Sequence, residues 1–436
     1  MPMRLAEAGR RRSPHTARPA EELRALFATR DGAVLDSPSM AAAVDGGLIE
    51  QAQLRDFIPL PPGTLLLQLP GRSPLRWARG NASPLTLPPQ EPIDAVAAVL
   101  PLGYTRTLLP AYETRAGAPV LPLYGYAAVA WSASGLVTAA ERTDAAPAWS
   151  QASHDTGRVR RGIAALEAEF PANAVIAQLK RCATEYGCFT AQNVFLRQGE
   201  AALPVSPACN ARCLGCISAQ EPGANVPSAQ ERFSRAPLEA DIVAVAIAHL
   251  QRVPDGMISF GQGCEGEPLL AAPLIERAIR AVRKHTQRGI IHCNTNGSRP
   301  DLLARLLDAG LQSIRVSLNS ARPEVYAAYY RPRGYAFADV LQSLETAGRR
   351  GAAISLNLLT HPGVTDTTDE MDALADLLSA YPISMVQTRT LNIDPQMYFQ
   401  AVGRPTKRSY GMRRWLAWLR ANFAGVRVGN FTRGFG

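Results

Sequence analysis

The sequence predicts an α/β protein: a partial (β/α)6 TIM-like barrel behind an N-terminal, β-rich domain. Three observations carry that expectation. From about Ala201 onward, strand-like apolar runs alternate with amphipathic helices at roughly 30-residue spacing, the pattern of parallel strands joined by helical crossovers. Upstream, short apolar runs are punctuated by Pro and Gly, as in a compact β-rich domain. The 436 residues, 47% apolar and 19% charged, supply core for two to three domains and exclude disorder as a global description. Gly and Pro, 34 of each, follow no period, so collagen-like and low-complexity architectures are excluded as well.

In chain order, residues 1–30 read as a basic flexible segment with a short helix near Glu21–Thr29. No apolar stretch follows the early arginines, so the segment is not a secretory signal. Residues 31–160 read as the β-rich accessory domain, with runs at Gly63–Leu69, Pro101–Leu109 and Val120–Ala130. The uncharged stretch Ala116–Ala140 is long enough to cross a membrane. Pro119, Pro122, Gly125 and Gly135 break it, and short strands of a cytoplasmic protein with no membrane contact explain it better. Residues 161–198 form a helical linker, with Ile163, Leu166, Phe170, Ile176 and Leu179 at near-helical spacing.

The barrel is expected over 199–395. Its strands are a first run near Leu203–Val205, then Gly256–Phe260, Gly289–Cys293, Ser313–Leu318, Ala353–Leu359 and Ser384–Thr390. Helices Leu238–Arg252, Leu269–Thr286, Asp301–Asp308, Ala336–Arg349 and Thr367–Ala380 fall between them. Such a barrel carries its site at the C-terminal ends of the strands. Residues 396–436 form a basic C-terminal helix and tail, in which Met412, Trp415, Leu416, Leu419 and Phe423 make an apolar stripe suited to closing the barrel. The net charge of +9 sits at the two ends, +4 over 1–30 and +8 over 395–436, while the body sums to −3. That distribution points to an anionic partner at the termini rather than along the whole surface.

Cys209, Cys213 and Cys216 crowd into eight residues directly after the first strand. Disulfides are not expected inside the cell, so the cluster reads as metal-binding. Three thiolates suit a zinc ion with one open position, or an iron–sulfur cubane with one exchangeable ligand. The second signal is Gly261-Gln-Gly-Cys-Glu-Gly-Glu-Pro268 after the second strand, where small residues let backbone approach a ligand closely.

Cys209-x3-Cys213-x2-Cys216 in this setting resembles the signature of the radical S-adenosylmethionine enzymes, over about 195–395. The resemblance implies that the three cysteines hold a [4Fe–4S] cluster. Its fourth iron would be chelated by the amino and carboxylate groups of S-adenosylmethionine, whose reductive cleavage releases a 5′-deoxyadenosyl radical. Gly266, Glu267 and Pro268 match the family's Gly-Gly-Glu-Pro motif, with Glu265 in place of the first glycine and a second carboxylate expected at the barrel mouth. The aromatic residue usual before the third cysteine is Gly215 here, so adenine packing must come from elsewhere, with Leu214 and the last strand as candidates. Ser317 and Asn319, at the end of strand four, are candidates for the methionine carboxylate or the ribose, and Asn357 on strand five is a weaker one. Arg389 or Asn392, at the end of strand six, are candidates for facing substrate. An electron donor such as flavodoxin or ferredoxin is implied, together with a small-molecule or peptide substrate.

Four cysteines remain: Cys182, Cys188, Cys264 and Cys293. Cys264 and Cys293 are expected at adjacent strand tips inside the mouth and, with His292, are the candidate catalytic residues. All four suit packing, an auxiliary cluster or a redox role. Two other functions are open. Aromatic residues among the arginines of the tail, including Trp415, Trp418, Phe431 and Phe435, suit RNA. A non-catalytic iron–sulfur electron-transfer or binding protein would need the cysteines but not the Gly-Glu-Pro element.

Overall fold

A computed structural model describes residues 22–87, 91–145, 153–221, 223, 226–405 and 408–431. Most of the basic segment 1–30 therefore lies outside the described residues, as does Phe435. The chain divides into two compact units. One holds the residues up to Thr143 with Thr360–Asp372 and Thr390–Asn422; the other holds Asp144–Leu359, Ala373–Arg389 and Phe423–Gly436.

The first unit is β-rich. Its first strand is Arg24–Ala28, antiparallel to Val34–Asp45, where the sequence predicts a helix near Glu21–Thr29. Both faces of that strand are covered: Leu23, Ala25 and Phe27 enter one apolar cluster, and Leu26 and Ala28 enter another. Burial on two sides outweighs the local helix propensity of Leu and Ala. The turn between the two strands closes on Gly32, whose φ of +88° suits a residue without a Cβ.

The C-terminal helix Met412–Asn422 belongs to this unit and not, as the sequence suggests, to the barrel. Met412, Trp415, Leu416 and Leu419 are buried. Three basic residues of this region pair with acids of the β-rich unit: Arg408 with Glu50, Arg413 with Asp56, and Arg420 with Glu141. Three of the eight basic residues of 395–436 are thus paired within the unit. A fully buried ion pair, Arg72 Nη2–Asp394 Oδ2 at 2.7 Å, ties two distant segments of the unit together.

The second unit opens with helices α1 (Thr156–Glu169), α2 (Ala174–Thr184) and α3 (Phe189–Leu196). Side chains of Asp155 and Asn173 accept the first free N–H groups of α1 and α2. A seven-stranded, wholly parallel sheet follows, with its strands in chain order. They are β1 (Glu200–Ala202), β2 (Met257–Phe260), β3 (Ile290–Thr295), β4 (Ser313–Leu318), β5 (Ala353–Thr360), β6 (Ile383–Thr390) and β7 (Arg427–Gly429). The crossovers carry α4 (Glu239–Arg252), α5 (Ala272–His285), α6 (Pro300–Ala309), α7 (Pro323–Tyr330), α8 (Phe337–Arg349) and α9 (Thr368–Ala380). Proline opens the first turn of α5, α6 and α7, where its missing N–H has no partner to lose.

The sheet is a curled half-barrel, as the alternation predicts. β1 lies three residues upstream of its expected position, and Leu203 prolongs it by donating to the Ser259 carbonyl at 2.9 Å. β7 is not foreseen, because three residues of a basic tail carry no apolar run.

Register sorts the side chains by face. Ser259, His292 and Ser313 are cross-strand partners, as are Asn294, Arg315 and Ser355, and then Ser317 and Asn357. These polar residues share the concave face. Phe260, Cys293, Ile314 and Ile354 are partners on the other, apolar face, against which amphipathic helices pack.

Candidate active site

The signature cysteines sit in the loop that leaves β1. All three are free thiols and partly exposed. The loop is held open by its neighbours. Arg212 and Leu214 donate backbone N–H bonds to the carbonyls of Tyr330 and Tyr329 at 3.0 Å each, and Arg333 N donates to Asn210 O at 2.8 Å. Side chains fix the rest: Asn210 bonds Ser298 and Asn296 at 2.9 Å each, and Gln220 Nε2 donates to the Cys216 carbonyl at 2.7 Å. Arg232 Nη2 lies 3.4 Å from Cys216 Sγ, a cation beside a thiol that must ionise to bind metal.

A tyrosine cluster backs the loop, and sequence reasoning missed it. Tyr326 stacks on Tyr330 with centroids 4.5 Å apart, Tyr329 meets Tyr330 edge-on, and the Tyr326 and Tyr335 hydroxyls are 3.0 Å apart. Burial, with Cys213 and Glu267 adding to it, pushes the Tyr335 phenol far up, so it stays a neutral donor. The run Tyr326–Tyr335 holds four tyrosines in ten residues, a signal the sequence did contain.

The loop after β2 lies directly against the cysteine loop. Gly266 N donates to Ser206 O at 2.6 Å, and Glu267 N to Ala208 O at 2.8 Å. A Cβ on Gly266 would stand 1.9 Å from the Ala208 carbonyl oxygen, so only glycine permits the approach. Glu265 does not add a carboxylate to the mouth, as the sequence suggests. It is buried, and its two oxygens accept four backbone N–H groups: Val205 and Ser206 at 2.8 Å, Gly261 at 2.6 Å and Gln262 at 2.7 Å. One side chain thereby clamps the foot of the cysteine loop to the β2 loop.

Glu267 is buried as well. Its carboxylate accepts from Thr295 Oγ1 at 2.5 Å, Asn296 N at 2.8 Å and Leu269 N at 3.0 Å. Burial raises both carboxyls to about 7, against the hydrogen bonds, which lower them. Pro268 opens the short helical turn that Glu267 caps.

Of the strand-four candidates, Ser317 lies on the polar face opposite Asn357, and Asn319 is buried just beyond β4, with Nδ2 donating to Val325 O at 3.2 Å. His292 is buried in the concave layer. Its Nδ1 lies 2.8 Å from Ser313 Oγ and its Nε2 3.0 Å from Asn294 Oδ1. Burial, reinforced by Arg315, lowers it to about 4, so the ring is neutral near pH 7. Arg389 shares this layer with Arg315, and burial brings its guanidinium down to about 10. Asn392 falls in the other unit.

Neither remaining cysteine candidate opens into the mouth. Cys293 points to the apolar face with Phe260 and Ile314 and is fully buried. Cys264 is buried as well. Leu214, offered for adenine packing, is itself buried.

This donor set fits an iron–sulfur cluster. Three free thiols share one short loop, and among the described residues no three His, Cys, Asp or Glu side chains converge as ligands of a single ion do. Cubane thiolates each hold a different iron and need no such convergence.

The family model described as "Radical SAM superfamily" matches residues 203–378. The FeMo cofactor biosynthesis protein NifB of Klebsiella pneumoniae is 28% identical over 185 residues, and the match spans 38% of each chain. Among solved structures, anSMEcpe with bound AdoMet is 14% identical, with a TM-score of 0.36, over 44% of this chain and 52% of that one. The FeFe-hydrogenase maturase HydG of Carboxydothermus hydrogenoformans is 16% identical, with a TM-score of 0.39, over 62% and 68%. The stretch that matches the radical SAM superfamily, residues 203–378, holds the cysteine loop and strands β2 to β5 of the half-barrel.

Proposed function

We propose that the protein is an enzyme that binds a [4Fe–4S] cluster through Cys209, Cys213 and Cys216 and binds S-adenosylmethionine beside it, across the loop Gly266–Pro268 and the end of β4 at Ser317 and Asn319. The observation that carries this reading is the backbone stitching of the two loops, Gly266 to Ser206 and Glu267 to Ala208. A cluster on the first loop and a ligand on the second would be neighbours. An electron-transfer protein would have no use for the second loop.

Held by Cys209, Cys213 and Cys216, the cluster would supply one electron for the reductive cleavage of S-adenosylmethionine, and with it radical chemistry for hydrogen abstraction from substrate. The chain's own residues bind and orient. Arg232 steadies the Cys216 thiolate. Glu267 acts on S-adenosylmethionine through position: its carboxylate holds Thr295 and Asn296, and so fixes the β3 tip against the loop whose backbone meets the ligand. Neutral His292, with Asn294, Arg315 and Arg389, gives the concave layer donors and acceptors for a polar part of the substrate. That substrate is a small molecule or peptide, and a flavodoxin- or ferredoxin-like protein is the electron donor.

The test is spectroscopic. The reconstituted, dithionite-reduced protein should give a [4Fe–4S]+ electron paramagnetic resonance signal that changes on addition of S-adenosylmethionine. A signal indifferent to it would overturn the reading in favour of electron transfer.

A further inference from the structure

The β-rich unit holds a cavity of about 330 Å³, inside the span of about 300–1,000 Å³ usual for small-molecule sites. Three stretches of sequence line it, all belonging to that unit: the hairpin of Val34–Asp45 with Leu48–Gln51, the run Leu109–Thr114, and the helix Pro395–Val402 with the residues just after it. Val44, Ile49, Leu109 and Phe399 make its apolar wall.

The polar groups of the lining are left with hydrogens to donate. Thr114 Oγ1 donates to Gln396 Oε1 at 2.9 Å, which occupies the amide oxygen and turns Gln396 Nε2 away as a donor. Tyr112 packs its ring against the cluster of Leu69, Leu121 and Tyr126, and its hydroxyl has no hydrogen-bond partner among the described residues. Burial pushes that phenol far up, so it donates and does not ionise. Arg404 is exposed at the rim, its guanidinium 5.7 Å from the centre of the Phe399 ring, and it has no carboxylate partner among the described residues.

No acid lines the cavity. Glu50 and Glu113 adjoin lining residues, but alternation along their strands turns them to the other face, and Glu50 pairs with Arg408 at 2.9 Å. Asp394, just before the helix, is committed to Arg72, Leu121 N and Gln396 N. An apolar guest would cover the donors of Tyr112, Gln396 and Arg404 without an acceptor, which is costly. A cation would meet the guanidinium. An oxyanion accepts from all three, and its bond to the guanidinium is charge-assisted.

We propose that this cavity binds a small organic anion, an oxyanion group of carboxylate or phosphate type on a compact apolar body. Arg404, Gln396 Nε2 and the Tyr112 hydroxyl hold the oxyanion, and Val44, Ile49 and Leu109 receive the body. The cysteine loop belongs to the other unit, so binding here does not depend on cleavage of S-adenosylmethionine.

Anaerobic titration calorimetry on the full-length reconstituted protein tests this with three probes that share a phenyl group: 3-phenylpropanoate, phenyl phosphate and the neutral 3-phenylpropanamide. At least one anion should bind at least tenfold more tightly than the amide, and the tighter anion identifies the oxyanion as carboxylate or phosphate. Arg404→Gln should weaken that anion at least tenfold and leave the melting temperature unchanged, because Arg404 has no ion pair to lose. Ile49, 38% exposed, tolerates a larger side chain, and Ile49→Trp should fill the cavity and abolish binding with the circular dichroism unchanged. An amide that binds as tightly as both anions, an anion affinity indifferent to Arg404→Gln or retained in Ile49→Trp, or no binding by any of the three probes would overturn the proposal.

Discussion

Burial, with Cys216 and Cys209 adding to it, pushes the Cys213 thiol well above its usual range. A metal bound here would have to hold the thiol as its thiolate. Cys213→Ala should therefore abolish cluster assembly, read as loss of iron and acid-labile sulfide, with the fold unchanged by circular dichroism. Gly266→Ala should be nearly as damaging without touching a ligand, because the new methyl would collide with the Ala208 carbonyl. S-adenosylmethionine affinity by calorimetry should fall at least tenfold. His292 gives a test with a defined sign. Its folded-state value of about 4 lies below the ordinary 6.5, so the unfolded chain takes up a proton between those values and the folded one does not. The stability it contributes is complete above pH 6.5 and lost as pH falls toward 4, roughly 3 kcal/mol in all. His292→Gln should remove that part of the acid sensitivity in guanidinium unfolding measured at pH 6.5 and 4.5.

At the scale of the element, the loop after β2 does more than the sequence suggests. Glu265→Ala would strand four buried backbone N–H groups, each costing about 1–3 kcal/mol where water does not replace the carboxylate. We predict loss of iron from this variant although Cys209, Cys213 and Cys216 are intact, with partial rescue by Glu265→Gln, whose one carbonyl can accept part of the set. The cysteine spacing was legible because its chemistry is local to eight residues. The strands and crossovers were legible because their periods are local too. The work of Glu265 and Glu267 was not, since their partners lie up to 60 residues away in sequence and only the sheet brings them near. β7 escaped because a three-residue strand at a sheet edge is specified by its neighbour β6 and not by its own composition. Cys293 was placed on the wrong face because a shift of one residue along a strand inverts every side chain.

At the scale of the molecule, each unit has its own organising interaction. In the β-rich unit Asp394 pairs with Arg72, accepts the Leu121 N–H at 2.9 Å and caps the helix Pro395–Val402 through Gln396 N. Asp394→Ala would leave a buried guanidinium unpaired and should destabilise that unit by about 3–5 kcal/mol, seen as an earlier first transition in differential scanning calorimetry. In the barrel unit the organising feature is the pair of stitched loops at the C-terminal strand ends, and the central claim is that they hold a cluster and S-adenosylmethionine side by side. The most direct test is anaerobic. The reconstituted protein is reduced with dithionite, S-adenosylmethionine is added, and 5′-deoxyadenosine and methionine are quantified by mass spectrometry. The account predicts both products in equal amounts, absent from Cys213→Ala. An intact, reduced cluster that leaves S-adenosylmethionine uncleaved would contradict it.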